Sequence, residues 1–440
     1  MTRPAPSAAA APTPPSICAA CPLLCDDVVL GEGRAEHACD AGAEALLAAV
    51  AAPRTTVVAW ESGAPITAAR AAARAADMLA GSRRPLVTGL VGCTVEAIVA
   101  ACDLADSVGA AIDPGGIESA RAAGPTIARV GEVTAAWEEL RDRADLVLLW
   151  HCDPSASHPR FGELFLDSPL AGGGRRESIA VAAAPPQGTC GPVRHLPAPR
   201  DAAVEMARTV HLLVTGRSAT DCLFLPRPLA AACDAIHDAI RRAACVAVVT
   251  ADACDRIGLE PWSIVHLVRA IAHEKPAFQV PLGTGIEAGA GSAAGAAAVL
   301  AWRYGGAGAV AHADRLAPRL RPAEADASRL IARGEVDVVV AVGSPAPAVV
   351  AAIAARGGDL RVVALCDAPA PLPWIGANGI QIRCPNLLVE TAGTLLRGDG
   401  RSMVLSPRRE ADRPAVHEIL HSLRSAVLDR SRRSAVEVPR

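Results

Sequence analysis

The chain has little excess charge of either sign, almost no tyrosine or lysine, and no unbroken apolar run suited to a membrane. Lys+Arg 43 against Asp+Glu 46 leave a formal net charge of -3. That near-balance removes the electrostatic case for nucleic acid or an anionic membrane as partner. With 1 Tyr, 4 Phe and Lys275 as the single lysine, the composition has drifted toward Ala, Val, Leu and Arg, which carries little information about function. The run Val338 to Ala355 is uncharged but broken by Gly-Ser-Pro-Ala-Pro, which suits a buried strand, a turn and a helix. The opening "MTRPAPSAAAAPTPPS" lacks a continuous apolar core, so it reads as a disordered tail and not as a secretory signal. Fourteen cysteines (Cys 14) in 440 residues are too sparse for a disulfide scaffold. The expected location is the cytoplasm. No G-x-S-x-G and no Walker A stands out.

What is present is alternation. Short β-branched runs such as "TTVVAW", "PLVTGL", "ADLVLLW", "CVAVVTA", "VDVVVAVG" and "LRVVALC" alternate with Ala-rich stretches of helical character. This predicts an α/β protein: a cysteine-cluster segment followed by two doubly wound, mainly parallel lobes. The expected division is a tail over 1–16, the cysteine segment over 17–60, lobes over 61–200 and 201–385, and a C-terminal segment over 386–440. In that last segment Val416, Ile419, Leu420, Leu423 and Val427 form an apolar stripe at helical spacing, expected to be a docking face. In open parallel sheets ligands sit beyond the carboxyl ends of the strands. Here those are the turns at Gly89 to Cys93, Asp113 to Gly116, His151 to Pro154, Gly283 to Gly285 and Gly343 to Pro345.

Thiols crowd the start of the chain. Cys18, Cys21 and Cys25 form C-x2-C-x3-C, and Cys39 follows in "ACDAG". Four thiolates in a compact loop-rich segment can hold an iron–sulfur cluster or a tetrahedral zinc, or stay buried and unligated. The x3 gap and the α/β body behind it favour the cluster.

From these residues a resemblance follows. The cysteine spacing together with "CPLLCDD", "ACDAGAEALL", "GCTVEAIVAACDLADSVGAAID", "RADLVLLWHCDPSASHPR", "GSAAGAAAVLAWRYG", "RGEVDVVVAVGSPAP" and "VETAGTLLRGDG" is similar to the molybdopterin or tungstopterin oxidoreductases. It resembles most the family of B-type subunits of formylmethanofuran dehydrogenase, in the branch found in formyltransferase/hydrolase complexes. The resemblance implies a [4Fe-4S] cluster on Cys18, Cys21, Cys25 and Cys39. In catalytic members a cysteine or selenocysteine, in a context like Cys-His-Gly-Pro-Ser, binds the molybdenum or tungsten. The matching residues here are Ala122, Ala123, Gly124, Pro125 and Thr126. A methyl group cannot ligate a metal or take a proton. Ala41 stands where many molybdopterin enzymes have a lysine that bridges cluster and pterin.

The expectation is therefore a structural component without its own catalytic residues, with molybdopterin or tungstopterin absent. Its partners would be the other subunits of the complex: an amidohydrolase-like A, a C, and a formyltransferase-like D that moves the formyl group between tetrahydromethanopterin and a methanofuran-like carrier. The alternative is an active tungsten- or molybdenum-pterin catalytic chain using Ser119 or Glu118 as metal ligand. His151, Cys152, Asp153 and His158 after "ADLVLLW" read as the wall of a residual pocket in preference to a Cys–His dyad. "GTGIEAGAG", Gly283 to Gly291, reads equally as a phosphate cradle or a plain loop.

Overall fold

A computed structural model describes residues 16–31, 33–53, 56–115, 130–188, 191–217, 225–251, 259–283, 291, 293–311, 317–321 and 324–436. An antiparallel hairpin near the start pairs β1 (Val29–Gly31) with β2 (Arg34–Glu36). Next come β3 (Ala59–Glu61), β4 (Ala64–Pro65), β5 (Pro85–Thr88) and β6 (Ala111–Asp113). The middle of the chain supplies β7 (Leu146–Trp150), β8 (Glu177–Ala182), β9 (Val193–Pro197), β10 (Val246–Thr250) and β11 (Ala277–Pro281). The remainder supplies β12 (Val310–Ala311), β13 (Arg319–Leu320), β14 (Val338–Val342), β15 (Arg361–Cys366) and β16 (Gly379–Arg383), then a hairpin of β17 (Gly393–Leu396) and β18 (Ser402–Leu405).

Two sheets organise these strands. The nine-stranded sheet has the order β13-β12-β6-β5-β14-β15-β16-β3-β4, parallel from β6 to β16 and antiparallel at both flanks. The five-stranded sheet, β11-β10-β7-β8-β9, is parallel throughout. Central strands such as β14 (VVVAV) and β10 (VAVVT) are apolar along nearly their whole length and wholly buried, as strands covered on both faces must be. The helices Ala68–Ala80 and Val95–Val108 start where a threonine caps them: Thr67 accepts from the Arg70 N–H at 3.2 Å, and Thr94 accepts from the Ala97 N–H at 3.3 Å.

The lobes are not the consecutive pieces 61–200 and 201–385 that the alternation predicts. The nine-stranded sheet takes strands from both ends of the chain, and the five-stranded sheet is built from β7 to β11 between them. Alternation reveals βα units but not which strands become neighbours. The C-terminal stripe also differs from expectation. Ile419, Leu420, Leu423 and Val427 lie in the helix Val416–Val436 and are buried in the chain's own core, against the helices Ala68–Ala80 and Val95–Val108. Arg424 Nε donates to Ser107 Oγ at 2.8 Å, and Arg430 Nε donates to Asp77 Oδ1 at 2.7 Å, which fixes the helix on that surface. An amphipathic stripe demands a cover without saying whose. This one is core, and the expected docking face is withdrawn.

The two faces of the five-stranded sheet are covered differently. On one face Met206, Ile236 and Leu267 come from the helices Ala203–Val214, Arg227–Arg242 and Leu259–Ala272. On the other face Val147, Leu149, Val249 and Val280 pack with Cys18, Cys21, Leu23 and Cys25 of the cysteine loop and with Trp137, Phe161 and Phe165. Among the described residues no helix is long and apolar enough to cross a membrane.

Candidate metal centre

The loop carrying the first three thiols closes on itself. Ser16 N–H donates to the Val28 carbonyl at 2.8 Å, Cys18 N–H to the Cys25 carbonyl at 2.8 Å, and Leu24 N–H to the Cys21 carbonyl at 3.2 Å. Leu24 takes a left-handed conformation, φ 45, to make that last turn. Cys39 arrives from another direction as the N-cap of the helix Asp40–Ala51, where its Sγ accepts from the Gly42 N–H at 3.4 Å. A Cβ on Gly42 would stand 3.2 Å from Cys18 Sγ and 3.3 Å from Cys39 Sγ. Both sulfurs therefore lie close to Gly42, and a side chain there would crowd them.

Electrostatics ties the four thiols together. Burial raises the Cys18 thiol and pushes Cys21 up to about 12. Burial raises Cys25 further, against the opposing pull of the Arg160 guanidinium. After burial, Cys18 and Cys39 add to the rise at Cys21, and Cys21 and Cys18 to the rise at Cys25, so the sulfurs feel one another. Metal uptake at neutral pH would thus release protons from these thiols. Among the described residues, no group of three or more His, Cys, Asp or Glu side chains is spaced to hold a metal ion. A tetrahedral zinc with bonds of about 2.3 Å needs its sulfurs about 3.8 Å apart. A four-iron cluster holds its thiolates further apart than that, and four thiolate donors suit either group.

Arg160 is the buried clasp of the site. Its guanidinium makes bonds of 2.7 Å to both carboxylate oxygens of Asp27 and of 3.0 and 2.7 Å to Glu163, and it also donates to the His37 carbonyl. These bonds join the loop of the first three thiols to the turn that leads into Cys39. Bidentate pairing of this kind fixes geometry as well as charge. The Arg160 hydrogen bond holds the Asp27 carboxyl below the usual range.

A second clasp comes from the β17–β18 hairpin. Leu395, Met403 and Leu405 pack on Ala19 and Leu24, and Gly398 N–H donates to the Pro22 carbonyl at 3.1 Å. Arg397 pairs with Glu138 at 2.6 Å and with Asp399 at 2.5 Å, and lies over the Trp137 ring at 5.0 Å. Asp399 also accepts from the Trp137 N–H at 2.8 Å. The stretch "VETAGTLLRGDG" therefore seals the cysteine loop of its own chain.

The loop sits where the two sheets meet. Gly291 N–H donates to the Ala19 carbonyl at 2.6 Å, and a Cβ on Gly291 would come within 2.2 Å of Gly92 Cα. Gly92 belongs to the turn beyond β5, so the expected Gly89 to Cys93 turn lies next to the thiol site. Beside it a crevice of about 390 Å³ opens at the carboxyl ends of β5, β14, β15 and β16, lined by Cys93, Ser344, Cys366, Cys384, Glu390 and Arg413. Burial pushes Cys93 up to about 12 and Cys366 to about 11. Arg413 and Glu390 form a buried ion pair, and Arg409 approaches Glu390 at 2.7 Å.

The turn after β7 does not present an obvious nucleophile. Cys152 Sγ lies 3.3 Å from the Val249 carbonyl, to which it donates. His158 is fully buried, edge-on to Trp137 and Phe161 at 6.1 and 6.5 Å, and burial holds its imidazole down at about 4. His151 is held at about 4 by burial and by Arg200, whose guanidinium donates to the His151 carbonyl at 2.8 Å. Glu118, Ser119, Ala122 and Ala123 lie outside the described residues, as do Gly116 and 284–290. The sequence alone points to no role for Arg160, Asp27, Gly42 or Arg397, although all four fall in stretches that carry the resemblance.

No family model matches the chain, and no curated protein matches its sequence. Its fold does match. One chain in the X-ray crystal structure of the formyltransferase/hydrolase complex (FhcABCD) from Methylorubrum extorquens, in complex with methylofuran, superposes with a TM-score of 0.68. The chain has the fold of a component of that complex. The match covers 85% of this chain and 99% of the other at 20% sequence identity.

Proposed function

We propose that this chain is the B-type component of a formyltransferase/hydrolase-type complex, which passes a formyl group from tetrahydromethanopterin to a methanofuran-like carrier and releases it as formate. The observation that carries the reading is the fold match over 99% of a chain from such a complex. The resemblance in "CPLLCDD", "ACDAG" and "VETAGTLLRGDG" supports the B-type assignment in particular. Within the complex, an amidohydrolase-like A component and a formyltransferase-like D component, with C, do the chemistry, and this chain is structural.

The thiols Cys18, Cys21, Cys25 and Cys39 would hold a [4Fe-4S] cluster. When bound, such a cluster supplies one-electron transfer or a structural cross-link. With alanine at 122 and 123 the second function is the one proposed, and a pterin has no role in it. The cross-link would join the loop to the N-terminus of the helix Asp40–Ala51, on the sheet face that the loop covers.

The test is affinity purification of the full chain from its native cells, followed by mass spectrometry of what comes with it. Amidohydrolase-like and formyltransferase-like chains in fixed ratio are the expected result. A chain that purifies alone, or with redox subunits only, overturns the reading.

A further inference from the structure

At the end of the nine-stranded sheet opposite the thiol site lies a second cavity, of about 880 Å³. It opens at the amino ends of β5 and β14, where Arg84 precedes Pro85 and Val336 precedes the buried run of β14. Five arginines line it: Arg83, Arg84, Arg319, Arg321 and Arg333. Two of them are matched by carboxylates in the same wall, Arg321 with Glu324 at 3.5 Å and Arg333 with Glu335 at 2.5 Å. Arg83, Arg84 and Arg319 have no carboxylate partner among the described residues, and all three are exposed. On a chain whose formal net charge is -3, this is a local excess of positive charge and not the background.

The backbone that carries two of these arginines is pinned. Asp337 accepts from the Arg83 and Arg84 N–H groups at 3.0 Å each, from Ser82 Oγ at 2.5 Å and from Arg361 at 3.1 Å. Two adjacent guanidinium groups are thus presented from a fixed segment, which lowers the ordering cost of binding. The floor between the charges is apolar, with Val336 buried and Leu330 half-buried. Two opposing features narrow the ligand. The carbonyl end of the helix Val95–Val108 reaches the cavity at Gly109, and Glu324 and Glu335 face it too. A single negative charge meets these offsetting fields, whereas two or more closely spaced charges engage several arginine forks at once.

We propose that this cavity binds a small polyanion, an organic molecule with two or more neighbouring phosphate or carboxylate groups on an apolar body. The volume is in the range of small-molecule and cofactor sites. The cavity shares no lining residue with the thiol site, so it stands or falls separately from the B-type assignment.

Calorimetric titration of the full chain at low salt, with pyrophosphate, citrate and monophosphate as probes, tests it. Pyrophosphate or citrate should bind at least about tenfold more tightly than monophosphate, and binding should weaken as salt rises. Whichever of the two binds more tightly tells a phosphate ligand from a carboxylate one. Arg84→Ser combined with Arg319→Ser should lower that affinity by at least about tenfold. These are exposed side chains, and a thermal melt identical to that of the parent chain confirms the fold of the variant. Arg34→Ser, far along the sequence on the β1–β2 hairpin, should bind like the parent chain. No preference for a polyanion over monophosphate, or a double variant that binds as the parent does, overturns the proposal.

Discussion

The two faces of the five-stranded sheet reach the same burial by different means. One is closed by three helices whose hydrogen bonds are internal and whose apolar stripes need only pack, as with Ile236. The other is closed by a loop of buried thiols together with the short helical segments Trp137–Arg143 and Gly162–Leu166, and the loop depends on Arg160 and on the Arg397 cluster. A parallel sheet ordinarily has helices on both faces. The difference teaches that the loop face is a conditional cover, stable to the extent that its charged clasps and its thiols are satisfied.

The largest separation between the faces should come from Cys39→Ser set beside Ile236→Ala. Serine is a good N-cap, so the helix Asp40–Ala51 keeps its start and only the fourth thiolate is lost. Iron and sulfide, expected at roughly four each per chain, should fall to near zero, and hydrogen exchange should rise over 16–31 alone. Ile236→Ala should cost about 3 kcal/mol in urea unfolding and leave the iron content unchanged. If Cys39→Ser retains the iron, the four-thiol assignment fails.

Arg160→Met should come next, at about 2 kcal/mol. The loss is less than for a fully buried pair, because water reaches the Asp27 and Glu163 carboxylates once the guanidinium is gone. Exchange protection should drop at Ser16 and Cys18, whose N–H groups close the loop, before it drops anywhere on the face covered by the three long helices.

The smallest effect concerns pH. His158 is buried among Trp137 and Phe161 on the loop face, and its folded value of about 4 lies below the ordinary 6.5. Between those values the unfolded chain binds the proton and the folded chain does not, so stability rises with pH. The contribution is present in full above about 6.5 and is lost as pH falls through that window to about 4. His158→Leu should flatten the pH dependence of the melting temperature between pH 4 and 6.5. An unchanged slope means that His158 is not buried as described.

How much of the molecule is legible in the sequence depends on how local the signal is. The apolar runs of β7, β10, β14 and β15 and the C-x2-C-x3-C spacing are local, and each lies in the structure where the sequence puts it. Strand neighbours are not local: β5 pairs with β14 across the whole of the five-stranded sheet's sequence, so a reading in chain order divides the lobes wrongly. The stripe at Ile419, Leu420 and Leu423 reads correctly as helical, but its expected cover, a partner's surface, proves to be the chain's own helices. Arg160 meets Asp27 from 133 residues away, and no spacing rule could pair them.

We propose that the chain holds thiol-bound iron and does no redox chemistry at a pterin. The most direct test is metal and pterin analysis of the complex isolated anaerobically from its native cells. Roughly four irons per copy of this chain, with molybdenum and tungsten well below stoichiometric amounts, is the result the account predicts. Stoichiometric molybdenum or tungsten, with a pterin released from this chain, would contradict it.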